Sequence, residues 1–296
     1  MPSTLPTSPM RYYRHQRNGD SRLLAVENGD AHDLTASKQR LTTFRDLAAA
    51  ANVADTSIDS LATDLVDDAP VVEFSIVELE RPVVPEEVWA AGVTYEISEQ
   101  AREQESGMAD VYLDVYDAER PEIFFKATPS RTVGPGGAIG VRGDSDWNVP
   151  EPELGVVLYD GDIVGYTVGN DVSSRDIEGD NPLYLPQAKV YDRCCSIGPC
   201  VVGADGVDDP HDLAMSMQIN RDGETVYDDA TATAEMARTC EELVAYWQAH
   251  NSVPELGVLL TGTSLVPEDE FTLMPGDEVR IDIEGIGELV NPVIEV

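Results

Sequence analysis

Short apolar runs of strand length fill the C-terminal three quarters of the chain, and glycine, proline and aspartate separate them. Val156–Tyr159 and Ile163–Val168 flank Asp160-Gly161-Asp162, which predicts a β-hairpin with a tight turn. In residues 279–283 apolar and charged side chains alternate, a pattern typical of a strand that is buried on one face. Because such runs are too short and too often interrupted for long helices, we predict a β-rich mixed α/β fold.

The first 75 residues have a different pattern, in which apolar residues recur at helical spacing. A short strand is predicted at Leu23–Val26 and a helix at Ile58–Leu65. Between them, one helical face collects four apolar side chains: Leu41, Phe44, Leu47 and Ala48. The acidic run Asp64–Asp68 predicts a linker. We therefore divide the chain into a small N-terminal α/β domain, residues 1–75 with a disordered leader, and a larger domain over residues 76–296.

Three segments of the larger domain stand apart from the strand pattern. One predicted helix carries an apolar stripe: Met236, Cys240, Leu243, Val244 and Trp247. Glu96–Asp110 is polar and compatible with a helix, and a lid over a site and a plain surface helix fit its composition equally well. Gly134-Pro135-Gly136-Gly137 lacks the Lys-Ser/Thr of a phosphate-binding loop, so we predict a turn there.

Acidic residues outnumber basic residues by 56 to 19, which gives a formal net charge of −37. A chain with this charge repels nucleic acids and anionic lipid surfaces. Because salt screens the self-repulsion, we predict a protein of a halophilic, salt-filled cytoplasm, and the alternative is an acidic mesophilic protein. The sequence has neither an apolar run of about eighteen residues nor a signal-peptide pattern, and Met10 is an alternative start.

Histidine and cysteine are scarce, and their positions exclude two common kinds of site. None of the four histidines lies in residues 85–205, which argues against a histidine-centred triad or a histidine-based zinc site in that segment. The four cysteines include no Cys-x-x-Cys pair. We therefore predict buried free thiols: Cys194, Cys195, Cys200 and Cys240.

Carboxylates are the remaining candidates for chemistry. Glu151 and Glu153 open a predicted strand, and side chains two residues apart in a strand project to the same face. Asp171 ends the next strand, so the predicted hairpin brings it back toward this pair. Oxygen ligands without nitrogen or sulfur favour a hard cation, Mg²⁺ first and Mn²⁺ or Ca²⁺ as substitutes. The alternative, in so acidic a chain, is a solvated acidic face.

Lysine is rare in this chain, which contains only Lys38, Lys126 and Lys189. The last two flank the carboxylates in sequence. A lysine beside a keto acid can hold its carboxylate or stabilise a developing enolate, whereas an ordinary structural ion pair is the simpler interpretation.

Several spaced motifs together resemble the fumarylacetoacetate hydrolase family, from about residue 83 to the C-terminus. They are Pro121-Glu122-Ile123-Phe124-Phe125-Lys126, Glu151-Pro152-Glu153-Leu154, Gly165 to Asp176 with its Asn170-Asp171-Val172-Ser173 centre, Lys189 with Ile197-Gly198-Pro199, Thr261-Gly262-Thr263, and Pro275-Gly276-Asp277 to Gly287. The resemblance implies a fumarylacetoacetate-hydrolase-like β-fold for the catalytic domain. It also assigns Mg²⁺ binding to Glu151, Glu153 and Asp171.

The resemblance also bears on the reaction. Ser98 stands where the C–C bond hydrolases of the family carry a catalytic histidine, and serine is a poor general base. The segment Asn181 to Gln187 before Lys189 is similar to the branch that dehydrates 2-keto-3-deoxy sugar acids in archaeal pentose degradation. The resemblance therefore implies a hydro-lyase that converts 2-dehydro-3-deoxy-D-pentonate, from arabinonate or xylonate, to 2,5-dioxopentanoate and water.

Site roles follow from the same resemblance. Glu122 and Lys189 are the expected catalytic residues, and Tyr95, Phe125 and Thr263 are expected to bind the substrate, a small 2-keto acid. A homodimer or homotetramer is expected. An acylpyruvate or fumarylacetoacetate-type C–C hydrolase stays open as an alternative, and a non-catalytic binding paralogue is a remote one.

Overall fold

The structure is a computed structural model that describes residues 9–17, 19–95, 115–116, 118–268 and 270–296. Within these residues the strands are β1 (Arg11–Arg17), β2 (Asp20–Glu27), β3 (Asp30–Asp33), β4 (Val71–Val72), β5 (Leu79–Glu80), β6 (Glu87–Gly92), β7 (Glu122–Ala127), β8 (Thr132–Val133), β9 (Ile139–Val141), β10 (Asn148–Val149), β11 (Pro152–Tyr159), β12 (Asp162–Asp171), β13 (Ser173–Ser174), β14 (Cys195–Gly203), β15 (Ala214–Arg221), β16 (Glu224–Ala232), β17 (Leu256–Leu260), β18 (Glu278–Ile283) and β19 (Gly287–Glu295). The α-helices are α1 (Leu34–Ser37), α2 (Phe44–Ala54), α3 (Ile58–Val66), α4 (Arg175–Asp180), α5 (Leu185–Lys189) and α6 (Cys240–Gln248). Strands therefore dominate, as the sequence pattern predicts.

A twelve-stranded sheet forms the body of the molecule, in the order β4-β3-β2-β1-β14-β12-β11-β17-β6-β7, with β5 beside β1 and β8 beside β14. Most neighbours are antiparallel, and β6 with β17 and β8 with β14 are parallel. A five-stranded sheet has the order β16-β15-β18-β19-β9, and β10 pairs with β13.

Strand β11 separates two hydrophobic cores because its side chains alternate between the faces of the large sheet. Val157 packs in a core with the apolar faces of α2 and α3. Leu154, Val156 and Leu158 pack in the other core, with the five-stranded sheet and α6. Glu153 shares the parity of Val157, so the alternation directs its carboxylate to the face that carries α2 and α3.

The N-terminal segment is joined to the large sheet, since Arg11 pairs with Val202 where β1 runs antiparallel to β14. The predicted strand and helices are present, although α2 begins at Phe44, after Leu41. The linker predicted at Asp64–Asp68 was wrong in its first residues, because α3 continues to Val66. Ser57 is the N-cap of α3, and the buried face of this helix continues through Ala62 to Val66. The domain boundary after residue 75 stays a prediction.

Other local predictions are confirmed. Strands β11 and β12 form the expected hairpin around Asp160 and Gly161, and β18 alternates between buried and partly exposed positions. The predicted turn closes with a hydrogen bond from Gly137 N to Gly134 O, 3.0 Å. Helix α6 begins at Cys240, so Met236 lies before it. The segment Glu96–Asp110 lies outside the described residues. Among the helices that are described, none is long and apolar enough to cross a membrane.

Candidate active site and metal centre

Three buried carboxylates meet where the β11–β12 hairpin ends. Pro152 pairs with Asn170 in the antiparallel register, so the next positions outward, Glu151 and Asp171, lie opposite each other. Asp171 N donates to Glu151 O at 2.9 Å, and Glu151 N donates to Asn170 Oδ1 at 3.2 Å. One oxygen from each of Glu151, Glu153 and Asp171 lies within 4.8 Å of the other two. We call these three residues the carboxylate cluster.

The segment that follows β17 holds the carboxylate of Glu153 in place. Gly262 N donates to Glu153 Oε2 at 2.6 Å, and Thr94 Oγ1 donates to Thr261 O at 2.6 Å. Gly262 has a φ of +83°, and a Cβ there would lie 2.2 Å from Thr94 Oγ1. Only glycine therefore fits this position, where a backbone amide must face a carboxylate.

Three cationic side chains form ion pairs with these carboxylates, and we call Lys126, Lys189 and Arg175 the cationic wall. Lys189 Nζ donates to Glu151 Oε2 at 2.7 Å and to Ser173 Oγ at 2.6 Å, and it lies 3.4 Å from Asp171 Oδ2. A guanidinium nitrogen of Arg175 lies 3.0 Å from Glu151 Oε1.

Lys126 belongs to the same wall but is deeper. Its side chain is 0% exposed, and Nζ pairs with Asp171 Oδ1. It also donates to Val172 O at 2.9 Å and to Lys189 O at 2.6 Å. Burial lowers the pKa of Lys126, but the charges of Asp171, Cys194 and Cys195 together outweigh burial, so the pKa is raised above its ordinary value.

The pKa values of the three carboxyl groups in the cluster are shifted in different directions. Burial raises the pKa of Glu153 well above its ordinary value, and the charges of Asp171 and Glu151 add to the rise. Burial also raises the pKa of Asp171 despite Lys126 and Lys189. Burial also raises the pKa of Glu151, but the charges of Lys189, Arg175 and Lys126 and the hydrogen bond from Lys189 together outweigh burial, so this pKa is lowered. The cluster thus holds carboxylates that repel each other unless a cation or a proton lies between them.

The donor set fits a hard divalent cation. Both oxygens of Asp171 are ion-paired, yet neither accepts a well-directed hydrogen bond from any described residue. Glu122 and Glu178 add two more carboxylates near this site, because their charges act on each other and on Lys189. Five carboxylates against three cationic side chains leave two negative charges uncompensated if every group is ionised, which one divalent cation would neutralise.

Glu122 lies at the start of β7, opposite Gly92 of β6. A Cβ on Gly92 would lie 2.0 Å from Glu122 Oε2, so the glycine leaves room for this carboxylate. Burial raises the pKa of Glu122, the charge of Lys189 opposes the rise, and Glu178 adds to it. A carboxyl group with a raised pKa is suited to exchange protons near neutral pH.

The two phenylalanines of β7 point to opposite sides. Lys189 Nζ lies 5.5 Å from the ring centroid of Phe124, a cation–π distance. Phe125 instead packs edge-on against Trp89, with ring centroids 5.8 Å apart. Because side chains alternate along a strand, Phe124 lies on the face of Lys126, and Phe125 does not. The structure thus brings Phe124, rather than the expected Phe125, to the site.

The other expected substrate contacts lie at different depths. Tyr95 is 2% exposed, its hydroxyl has no hydrogen-bond partner among the described residues, and burial and the charge of Glu153 raise its pKa. Thr263 is partly exposed, and its Oγ1 accepts from Leu265 N at 3.0 Å. Ser98 lies outside the described residues. All four cysteines are buried free thiols, as predicted.

Sequence reasoning missed four residues near this site: Ser173, Arg175, Glu178 and Phe124. All except Glu178 lie within motifs that carried the family resemblance, so the signal was present. What spacing alone did not supply was the orientation of each side chain toward the carboxylate cluster.

The fold and this site define the class of the protein. The family model "Fumarylacetoacetate (FAA) hydrolase C-terminal" matches residues 87–294. The chain belongs to the fumarylacetoacetate hydrolase family.

Within the family, two relatives and one solved structure are similar to this chain over most of its length. A Haloferax volcanii protein named "Probable 2-keto-3-deoxyxylonate dehydratase" is 64% identical over 97% of this chain and 100% of its own length. The 2-dehydro-3-deoxy-D-arabinonate dehydratase of Saccharolobus solfataricus is 45% identical over 75% of this chain and 76% of its own length. A solved 2-keto-3-deoxy-D-arabinonate dehydratase complexed with magnesium and 2,5-dioxopentanoate superimposes with a TM-score of 0.80, at 35% identity over 97% of this chain and 99% of that chain.

Proposed function

We propose that this chain is a Mg²⁺-dependent hydro-lyase that converts 2-dehydro-3-deoxy-D-pentonate to 2,5-dioxopentanoate and water. The observation that carries the proposal is the meeting of the carboxylate cluster with Lys189 in one buried site. The similarity to two dehydratases of 2-keto-3-deoxypentonates supports the choice of substrate.

Glu151, Glu153 and Asp171 would hold the metal ion, since three carboxylates offer the oxygen ligands that Mg²⁺ prefers. Mn²⁺ and Ca²⁺ are proposed substitutes. A metal ion held there would supply a Lewis acid to polarise the 2-keto group of the substrate, which would acidify the C3 protons.

The chain itself moves protons and orients the substrate. Glu122 takes a proton from C3, because its raised pKa makes it an effective base and, once protonated, an effective acid. The C4 hydroxyl takes up a proton and leaves as water. The C3–C4 double bond then moves to C4–C5 as C5 loses a proton and C3 regains one, and the resulting enol tautomerises to the C5 aldehyde. Lys189 holds the substrate carboxylate or shares this proton transfer.

Three side chains are proposed to contact the rest of the substrate. Tyr95 offers a buried hydroxyl, and Thr263 lies at the partly exposed side. Phe124, rather than Phe125, is proposed as the aromatic contact of the substrate, because the ring of Phe124 lies beside Lys189. Burial of Tyr95 and of the carboxylate cluster limits the access of water, which favours elimination over hydrolysis.

The net charge and the family support proposals for the cellular location and the subunit count of the enzyme. The net charge of −37 supports a halophilic, cytoplasmic enzyme of pentose degradation. We also propose a homodimer or homotetramer. Light scattering in concentrated KCl would measure the subunit count, and a monomer under those conditions contradicts this part of the proposal.

Incubation of the purified protein with the D and L enantiomers of the keto acid, whose one stereocentre is C4, in concentrated KCl with Mg²⁺ or with EDTA, tests the reaction. We expect a Mg²⁺-dependent release of 2,5-dioxopentanoate, measured by the oxidation of its aldehyde in a coupled dehydrogenase assay. Cleavage of acylpyruvate without turnover of either pentonate would replace the proposal with a C–C hydrolase. Binding of Mg²⁺ and oxalate without any turnover would indicate a non-catalytic paralogue.

A further inference from the structure

We propose that Lys126 is a positioning residue, whose buried ammonium group fixes the metal ligand Asp171 relative to Lys189. The inference rests on the proposed function for its chemistry, because it treats Asp171 as a ligand of Mg²⁺. From its position in the sequence alone, this lysine fits either a substrate contact or a plain ion pair.

The Lys126 ammonium group is enclosed by the protein. It donates to Val172 O and Lys189 O, it is ion-paired with the Asp171 carboxylate, and the side chain is 0% exposed. Because no part of the side chain is exposed, a substrate does not reach this ammonium group. It therefore acts through other residues.

Lys189 differs in the use of its donors. Two short hydrogen bonds join its Nζ to Glu151 Oε2 and Ser173 Oγ, and the remaining partner, Asp171 Oδ2, is 3.4 Å away. This longer contact lies beyond the usual range for a charged hydrogen bond, so the third donor is free to turn toward a substrate. The two lysines share the carboxylate of Asp171 but have different tasks.

One ammonium group thereby joins three separate elements. Lys126 lies on β7, Val172 directly follows the metal ligand at the end of β12, and Lys189 ends α5. Because Lys126 is ion-paired with the Asp171 side chain and donates to the backbone carbonyl of Lys189, its loss would let these groups move apart. A misplacement of about 1 Å in an active site can cost about 100-fold in rate.

Positioning and plain electrostatics predict opposite signs for Mg²⁺ binding. If Lys126 only added positive charge, its removal would tighten Mg²⁺ binding, because a like charge would be gone. If Lys126 orients the Asp171 carboxylate, its removal weakens binding, and the loss of such outer partners typically costs about 10–100-fold. The direction of the change therefore separates the two roles.

The test is calorimetric titration of the full-length chain with MgCl₂ alone, in concentrated KCl, for the wild type, Lys126→Met and Lys126→Gln. Both variants are neutral, but only glutamine keeps side-chain donors. We expect Lys126→Met to weaken Mg²⁺ binding by about 10–100-fold, and Lys126→Gln to recover part of that loss. Lys38→Met is the matched control, since Lys38 is exposed and its substitution should leave binding unchanged.

Thermal unfolding without metal identifies variants that do not fold, and if Lys126→Met fails, Lys126→Gln is compared directly with the wild type. Tighter or unchanged Mg²⁺ binding, or equal effects of the two substitutions, would overturn the role of Lys126. Absence of Mg²⁺ binding by the wild-type chain would instead refute the proposed function. Because no substrate is used, the two failures are distinguishable.

Discussion

The carboxylate cluster and the cationic wall are in direct contact, but they are built in different ways. All three carboxylates come from one hairpin, within residues 151–171, and its register sets Glu151 opposite Asp171. The wall is assembled from β7, α4 and α5, which pack together from separate parts of the chain. The proposed metal ligands are thus encoded locally, whereas the groups proposed to handle the substrate depend on tertiary packing.

The two regions also differ in how well their polar groups are satisfied. Lys126 donates hydrogen bonds to two backbone carbonyl oxygens and is ion-paired with Asp171. Neither oxygen of Asp171 accepts a well-directed hydrogen bond from the described residues. Buried polar groups are normally paired, so the under-satisfied region is the one prepared for a ligand. The following experiments separate the two regions, from the largest expected effect to the smallest.

Asp171→Asn breaks the carboxylate cluster while preserving side-chain volume. We expect loss of detectable Mg²⁺ binding and a fall in turnover of more than about 100-fold, beyond the usual effect of an outer partner. Calorimetry and the coupled aldehyde assay measure these effects. Asp162→Asn, the same change at an exposed position of the same hairpin, is the control and should leave both unchanged. Wild-type Mg²⁺ affinity in Asp171→Asn would exclude this carboxylate as a ligand.

Lys189→Met breaks the cationic wall and leaves the carboxylate cluster in place. Turnover should fall by about 10²–10⁴-fold, the range for the loss of a group that transfers protons. Mg²⁺ binding should change by less than about 10-fold, since Arg175 still pairs with Glu151 and Lys126 with Asp171. Calorimetry beside steady-state kinetics checks both, with Lys38→Met as the control. If Lys189→Met abolished Mg²⁺ binding, the separation of the two regions would fail.

Gly262→Ala disturbs the carboxylate cluster through the backbone. The new Cβ would clash with Thr94 Oγ1 and displace the amide that holds Glu153, so we expect about 10–100-fold weaker Mg²⁺ binding. The strained φ should also cost about 1–3 kcal/mol of folding free energy, measured by denaturant unfolding. Gly136→Ala is the control, because Gly136 also has a positive φ but faces open space. Equal Mg²⁺ affinity in both variants would argue against a role for the Gly262 amide.

Mg²⁺ should stabilise the fold, because it relieves repulsion within the carboxylate cluster. At about 100 times its dissociation constant, a ligand of the native state adds about 2.7 kcal/mol. For a chain of this size that corresponds to a rise in Tm of roughly 4 °C. Thermal unfolding with MgCl₂ or EDTA at constant KCl measures the shift. The shift should vanish in Asp171→Asn, and an equal shift there would assign the stabilisation to surface binding.

Local predictions succeeded where a single element decided the outcome. The hairpin, its Asp160-Gly161 turn and the half-buried strand β18 were all predictable, since period-two alternation and turn chemistry act over a few residues. The linker prediction at Asp64 failed because acidic composition gave no sign that the apolar face of α3 extends to Val66. The expectation for Phe125 did not take into account that alternation along β7 brings Phe124 to the side of Lys126.

The sequence by itself determined the strand-rich class, the hairpin and the meeting of three carboxylates, because strand alternation and antiparallel register act through neighbouring residues. The tertiary structure decided which cations face them. Lys126 and Lys189 lie 63 positions apart and meet only when β7 packs beside α5. No local pattern specifies that approach, since it depends on how the elements pack together over the large sheet.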